Sequence, residues 1–186
     1  MVGALMAWST PPTYTSGNVL TAAQMNAISA NLNETAPAKA TTSTSYFVGS
    51  GANAIQEREF QVARAVAPET TPSTSYTELA TQQRITVSSG DVALVIVTAR
   101  MYVGTAGETA LNSVVVSGSS AIAADDGYAL MQQSSSVNNR IRASAVTLFT
   151  SANMGLNSGS NLWKSVYRTT AGTLTAADRE LVIMPM

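Results

Sequence analysis

Few residues of this sequence have the type and spacing that catalysis requires. Glu57 and Glu59 stand two apart, and on a strand this spacing would place both carboxylates on one face, roughly 7 Å apart. That separation falls within the range of inverting glycosidases. Arg58 stands between them, so a solvated strand edge or an ion pair between subunits is the favoured role. We assign no catalytic residue.

Candidate sites for ions are equally sparse. Asp125, Asp126 and Gly127 could contribute calcium ligands near a tight turn. They lack the alternating oxygen ligands of an EF-hand loop, so a plain Asx turn is favoured. The glycines of Gly49 to Asn53 are not followed by Lys-Ser/Thr, which excludes a phosphate-binding loop. We expect neither a metal nor a cofactor.

Two aromatic residues, Trp163 and Tyr167, fall on one face of a predicted strand with Ser165 between them. Such a pair can form a platform for a sugar ring. Packing in the core or at a subunit interface is the favoured alternative, because large aromatic side chains dominate both.

Missing residue types exclude whole classes of chemistry. The chain has no histidine and no cysteine. It therefore cannot contain a Ser-His-Asp triad, a cysteine nucleophile or an ordinary zinc site. We expect a protein that is not an enzyme.

The charge content of the chain indicates which partners it can bind. Charged residues make up 11% of the chain and the formal net charge is -1, so nothing attracts a phosphate backbone and nucleic-acid binding is disfavoured. A surface with few charges suits packing against copies of itself, which favours an oligomer. The longest apolar run, Val92 to Val97, is far short of the roughly 20 residues that span a bilayer. The opening MVGALMAW lacks a positive region and is a poor signal peptide, so we expect a soluble protein.

The elements that would position any site begin with an arm and a helix. Residues 8–19 hold two prolines and a glycine, which favours an extended arm with Trp8 and Tyr14 as its contacts. Thr21-Ala22-Ala23-Gln24 has the form of a capping box and predicts a helix start. Pro37 ends the helical pattern.

The helix carries a one-sided apolar stripe of Met25, Ile28 and Leu32. A helix of about three turns is marginal alone in water, so this stripe must be buried against something. It can fold back on its own β-domain, or dock on a partner or on neighbouring subunits. We favour docking, because the polar stretch from Thr35 to Ser45 resembles a spacer.

From about Ala54 the apolar period becomes two. Strands are predicted at Gln61 to Val66, Gln83 to Val87, Val92 to Val103, Ser113 to Val116, Tyr128 to Gln132, Ile141 to Phe149, Leu162 to Thr169 and Leu181 to Met184. Residues 88–91 predict a hairpin turn between the second and third of these. Seven or eight short strands separated by turn residues indicate a β-sandwich or jelly roll.

Several segments resemble a known family. The segments TYTSGNVLTAAQMNAISANLN (13–33) and SYFVGSGANAIQERE (45–59) are similar to the start of small tail-fibre, head-fibre and decoration proteins of tailed bacteriophages. The segment TSYTEL (74–79) and the closing TLTAADRELVIMPM (173–186) are similar to trimeric β-sandwich domains of phage fibres. The resemblance implies a virion protein with a capsid- or tail-bound arm and a trimeric sandwich. No catalytic or receptor-binding residue carries over.

Together these patterns predict a mainly β protein in three parts: an anchoring arm and short helix (1–34), a polar linker (35–54) and a β-sandwich or jelly-roll domain (55–186). The expected function is structural, in a virion assembled in the host cytoplasm, with other virion proteins and a homotrimer as partners. The alternative is a receptor-binding module of the tail, which would bind a host surface glycan through loop residues 105–112. The predicted anchor residues are Trp8, Tyr14, Leu20, Met25, Ile28 and Leu32.

Overall fold

The computed structural model of the chain describes residues 6–7, 17, 19–35, 44–51, 54–134 and 140–186. These residues form two compact units, Met1–Glu59 and Phe60–Met186. Among the described residues, no helix is both long enough and apolar enough to cross a membrane.

The first unit contains one helix and a small sheet. Helix α1 spans Ala22–Thr35, which confirms the predicted helix and its end before Pro37. Strands β1 (Met6–Ala7), β2 (Ser45–Gly51) and β3 (Ala54–Glu59) pair antiparallel in the order β1-β3-β2. The register of β2 on β3 shifts between Gly49 and Gly51.

Strand β2 lies inside the stretch that was predicted to be a polar linker, 35–54. The sequence Tyr46-Phe47-Val48 has the aromatic and β-branched side chains that favour a strand, and its glycines had suggested a flexible spacer. In the sequence, the boundary between the two compact units falls between Glu59 and Phe60. The second unit therefore begins five residues after the predicted start of the sandwich domain at residue 55. The division into anchor, linker and display domain remains a prediction about function.

The second unit is built almost entirely from strands. Their bounds are β4 Gln61–Ala65, β5 Glu69–Thr71, β6 Arg84–Ser89, β7 Val92–Val103, β8 Thr109–Gly118, β9 Leu130–Gln133, β10 Ile141–Thr150, β11 Gly159–Thr169 and β12 Leu174–Pro185. A short 3₁₀ turn, Asp126–Tyr128, precedes β9, and helix α2, Ser151–Met154, follows β10.

These strands form two antiparallel sheets. One has the order β10-β7-β12-β4, with β5 also paired to β12, and the other has the order β6-β11-β8-β9. Apart from the steps β4 to β5 and β8 to β9, consecutive strands alternate between the two sheets. This alternation is the connectivity of a jelly roll, two Greek keys wound into a sandwich, and it confirms the predicted fold class.

The core lies between the sheets. Strand β7 alternates buried and half-buried residues along its whole length, and Ala93, Val95, Val97, Ala99, Met101 and Val103 are the buried set. These six residues form the inward face of the strand. Phe149 on β10 packs edge-to-face on Trp163 of β11, with ring centroids 5.3 Å apart, and so joins the two sheets.

The predicted hairpin between β6 and β7 is wrong. Both strands exist, but β6 belongs to the four-stranded sheet and β7 to the five-stranded sheet. Gly90 donates its N–H to Met186 O rather than to β6. A short turn between two period-2 segments looks the same in sequence whether the chain folds back within one sheet or crosses to the other, so local patterning could not separate the two cases.

The end of β8 approaches the start of β11 closely at a glycine. Gly118 ends β8 with φ +112, and a Cβ built on it would lie 2.5 Å from Ser160 O. Buried Asn161 ties this region together: it donates through Nδ2 to Ser89 Oγ at 3.0 Å and accepts from Ser120 N at 2.8 Å.

Candidate assembly surfaces

The N-terminal end of helix α1 is capped as predicted. Gln24 N donates to Thr21 Oγ1 at 3.2 Å, and Thr21 N donates to Gln24 Oε1 at 2.9 Å. Leu20 and Met25 beside this cap are 43% and 52% exposed, whereas Ile28 is half-buried. The first turn of the helix therefore presents apolar side chains to solvent.

The other predicted anchor residues are placed less completely. Trp8 and Tyr14 lie outside the described residues, and Leu32 lies in the C-terminal half of α1. The structure thus places Met25 and Ile28 three residues apart on one helix. Whether all six predicted anchor residues act together stays a prediction.

A second apolar surface lies on the outer side of the five-stranded sheet. Strand register places aliphatic side chains in two rows across this side. One row contains Val146, Ile96, Val182 and Val62, and the next contains Leu148, Leu94 and Met184. We call these seven residues the aliphatic face. Its most exposed member is Val146, on edge strand β10, at 60%.

Polar side chains border the aliphatic face on one side. The hydroxyls of Thr98 and Ser144 lie 2.7 Å apart in the adjoining row. Beyond them Arg142 pairs with Glu180 at 3.6 Å, and Arg100 pairs with Asp178 at 3.1 Å. Most of the charge along this border is therefore neutralised within the chain.

The outer side of the four-stranded sheet is different, because the chain covers it. Leu111, Ser113 and Val166 point outward from that sheet and are nevertheless buried. Ser113 Oγ donates to Asp125 O at 3.0 Å, and Ile122 pairs with Val116 through backbone hydrogen bonds. The segment between β8 and β9 therefore covers one outer side of the sandwich, whereas Val62, Val146 and Leu148 of the aliphatic face are 49%, 60% and 46% exposed.

The acidic candidates from the sequence lie on a strand of the first unit and in a turn of the second. Glu57 and Glu59 both lie on β3, in the first unit. Asp125 accepts from Gly127 N at 2.7 Å, which is the expected Asx turn. The described ranges contain no group of three or more His, Cys, Asp or Glu side chains that could hold a metal.

Asp126 belongs to a surface cluster instead. Tyr76 donates its hydroxyl to Asp126 at 2.7 Å, and Arg168 forms an ion pair with the same carboxylate. The hydrogen bonds from Arg168 and then Tyr76 hold the pKa of Asp126 below its ordinary value. The cluster ties the segment after β5 to the turn before β9.

The structure buries the predicted aromatic platform and makes the second half of the predicted recognition loop part of a strand. Trp163 and Tyr167 are fully buried, so packing in the core is the correct alternative for this pair. The predicted recognition loop 105–112 is wrong in its second half, because strand β8 begins at Thr109 and Ala110 to Asn112 are buried. The strand pairs with β11 there, and its backbone is used for the sheet.

A buried ion pair escaped the sequence analysis. A bulge in β12 places Asp178 and Arg179 opposite the single residue Ala99, with Asp178 at φ +47. Arg179 turns inward, is fully buried, and meets Glu69 at 3.2 Å between Nη2 and Oε1. Counting back by twos from buried Leu181 would have placed Arg179 on the inner face, but the strand was predicted to begin only at Leu181.

The ion pair continues into a polar network between the sheets. Tyr167 donates its hydroxyl to Gln83 at 2.6 Å and accepts from Ser165 at 3.0 Å. Burial raises the pKa of Tyr167 to about 12. Burial would also raise the pKa of Glu69, but hydrogen bonds from Thr81 and the charge of Arg179 outweigh it and hold that pKa below its ordinary value.

Comparison with known proteins shows similarity only at the level of the fold. No protein-family model and no curated protein matches the chain. The infectious bursal disease virus VP2 subviral particle is 7% identical with a TM-score of 0.48, covering 74% of this chain and 37% of that one. The infectious bursal disease virus Gx strain is 8% identical with a TM-score of 0.47, covering 73% and 35%.

A third similar structure is Eiger TNF from S. frugiperda, which is 14% identical with a TM-score of 0.42, covering 69% of this chain and 94% of that one. Of the two viral chains named above, this chain spans only about a third of the length. At these identities and TM-scores the similarities carry no argument about function.

Proposed function

We propose that this chain is a non-enzymatic structural component of a bacteriophage virion, a capsid decoration, head fibre or short tail fibre. In this proposal residues 1–34 anchor the chain to other virion proteins, residues 35–54 connect, and the jelly roll in 55–186 is displayed. The displayed domain associates as a homotrimer. The resemblance of residues 13–33 and 45–59 to phage virion proteins supports this assignment.

One observation carries the anchoring role: helix α1 is capped by its own side chains yet leaves Leu20 and Met25 about half exposed. Such a helix keeps its shape at the N-terminal end while it offers apolar surface. Completing the burial of one of these side chains on a partner would contribute roughly 1 kcal/mol, since full burial of Leu or Met is worth about 1.5–3 kcal/mol.

The jelly roll suits display because it has its own core. Its buried residues come from both sheets of the second unit. A domain with a complete core keeps its fold when an exposed connection before it is cut. Anchoring and display should therefore be separable activities of one chain.

Deletion and transfer test this separation. Removal of residues 1–33 should leave a β-rich, protease-resistant protein that no longer joins the particle. Residues 1–45 fused to an unrelated soluble protein should be recruited to particles that lack the full chain. Particle-bound protein is measured after gradient purification. If the truncated chain still joins the particle and the fusion does not, the anchor is not in this segment.

A point substitution tests the helix itself. Ile28→Asp would place a charge in a dry apolar contact and should reduce incorporation at least about tenfold, because burying an unpaired charge costs several kcal/mol. Asn26→Asp is the matched control, since it adds the same charge at an exposed position of α1 and should incorporate normally. Thermal unfolding of the jelly roll should be unchanged in both variants. Loss of jelly-roll stability with normal incorporation of Ile28→Asp would contradict the anchoring role.

A further inference from the structure

We propose that copies of this chain pack on one another through the aliphatic face. The inference deepens the proposed function, on whose homo-oligomer it rests, by naming the surface that the subunits share. It assigns a role to the outer side of the five-stranded sheet, where Val62, Val146 and Leu148 are exposed.

The size of the aliphatic face follows from the geometry of the sheet. Neighbouring strands lie about 4.8 Å apart and alternate residues about 7 Å apart, so two rows across four strands cover roughly 20 by 20 Å once side chains are included. The resulting area of about 400 Å² is typical of the largest apolar patch on a monomer, which is often functional. It is about half of the roughly 800 Å² that each partner buries in a stable interface.

The polar residues that border the aliphatic face would supply the rest of the interface area as a polar rim. Interfaces have an apolar centre and a polar, solvated rim. Here the rim is the hydroxyl row of Thr98 and Ser144 with the ion pairs of Arg142 and Arg100 beyond it. The two bordering rows, each about 7 Å wide, raise the area to roughly 700 Å², which lies within the range of about 600–1,000 Å² that each partner buries in a stable interface.

Charge favours a second copy over a partner of another kind. Two carboxylates, Asp178 and Glu180, are already paired with arginines along the border, and the whole chain has a net charge of -1. No strong field of one sign is left to attract an oppositely charged protein, and none repels an identical surface. The seven aliphatic side chains of one copy can therefore pack on another copy without a cost in like-charge repulsion.

Edge strand β10 adds to the case. It is ten residues long, pairs with β7 alone among the described strands, and projects Val146 and Leu148 outward. A long edge strand with exposed apolar residues is a site of association unless it is covered. Packing of copies on this side of the sheet would cover the outward side chains of β10.

The test uses the full chain with two matched substitutions. Val146→Glu changes the aliphatic face, and Met131→Glu changes β9 of the other sheet at an equally exposed position, 59% against 60%. Mass is measured by sedimentation over a wide concentration range. We expect the wild type and Met131→Glu to form the same oligomer, and Val146→Glu to dissociate at concentrations at least about tenfold higher. An unchanged dissociation constant for Val146→Glu overturns the inference.

A second measurement does not depend on a disruptive residue. Because the chain has no cysteine, Leu148→Cys introduces a single thiol on the aliphatic face and Met131→Cys a single thiol elsewhere. The thiol of Leu148→Cys should react with a maleimide at least about tenfold more slowly in the oligomer than in the dilute, dissociated chain. The thiol of Met131→Cys should react equally fast in both. Equal reactivity of Leu148→Cys in the two states overturns the inference.

The two proposals can fail separately. A chain that is monomeric at all concentrations but still joins particles through residues 1–33 overturns the self-association and leaves the virion role standing. A chain that forms oligomers through the aliphatic face but never joins particles overturns the virion role alone.

Discussion

Replacing Glu69 by glutamine should be among the most damaging isosteric changes in the jelly roll. Arg179 is 0% exposed, and Glu69, which is 16% exposed, is its charged partner at 3.2 Å. The remaining contacts of the guanidinium are Thr81 O at 3.3 Å and the ring of Tyr167. Glu69→Gln therefore leaves a buried cation with neutral neighbours only.

The size of the effect follows from the separation of the charges. At an effective dielectric constant of about 20, two charges 3.2 Å apart attract by roughly 5 kcal/mol. Loss of one partner of a buried pair typically costs about 3–5 kcal/mol. We expect Glu69→Gln to lower the free energy of unfolding by that amount. Arg179→Met should cost less, because Glu69 keeps its hydrogen bonds from Thr81 N and part of its hydration.

Urea unfolding followed by tryptophan fluorescence measures both variants, since Trp163 is buried in the same core. Protein concentration must be held constant, because self-association shifts apparent stability. Glu180→Gln is the control: Glu180 lies on β12 beside Arg179, and its pair with Arg142 is partly exposed, so the substitution should cost less than about 1 kcal/mol. If Glu69→Gln matches this control, or is milder than Arg179→Met, the buried charge has another stabilising partner.

Two further predictions concern the backbone and pH. Gly107→Ala should cost about 1–2 kcal/mol because its φ is +89, with free space around the new Cβ. Gly118→Ala should cost at least about 1 kcal/mol more, because its Cβ would meet Ser160 O. Equal losses of stability in urea unfolding would show that β8 and β11 can move apart to accommodate the new Cβ. With no histidine in the chain, the thermal midpoint should stay flat from pH 8 to 6. It should fall as acid protonates the carboxyls whose folded pKa is depressed, since their stabilisation is present above the ordinary value of 4.5 for glutamate and is lost as pH drops through the lower folded value. The carboxyls with depressed pKa are Glu69, Glu78 and Asp126, and a midpoint that stays constant down to pH 2 would contradict this prediction.

The parts of the fold that were predictable are those that depend on local patterning. The alternation of β7 set its buried face, and Thr21 with Gln24 set the start of α1. Period-2 segments separated by turn residues were enough to indicate a jelly roll.

The parts that were not predictable depend on which strands meet. The turn after Ser89 crosses between sheets, and the bulge at Asp178 interrupts the alternation of β12 just before Arg179. The aliphatic face needs the register of four strands that are far apart in the chain. Runs that are apolar at every position, such as Leu181 to Met184, indicated that both sides of a strand carry apolar residues. They do not show which side of the sheet is left exposed to solvent.

The position of β12 has a consequence for the timing of synthesis. This last strand of the jelly roll lies in the middle of its sheet, between β7 and the pair β4 and β5. The strands that are synthesised earlier therefore cannot complete the sheet until Leu174–Pro185 has left the ribosome. Pairings over such sequence distances also form slowly. Val182 and Met184 of this strand also contribute to the aliphatic face. An incomplete chain would therefore lack part of the aliphatic face. Only chains that have been translated through β12 would then pack on one another through this face.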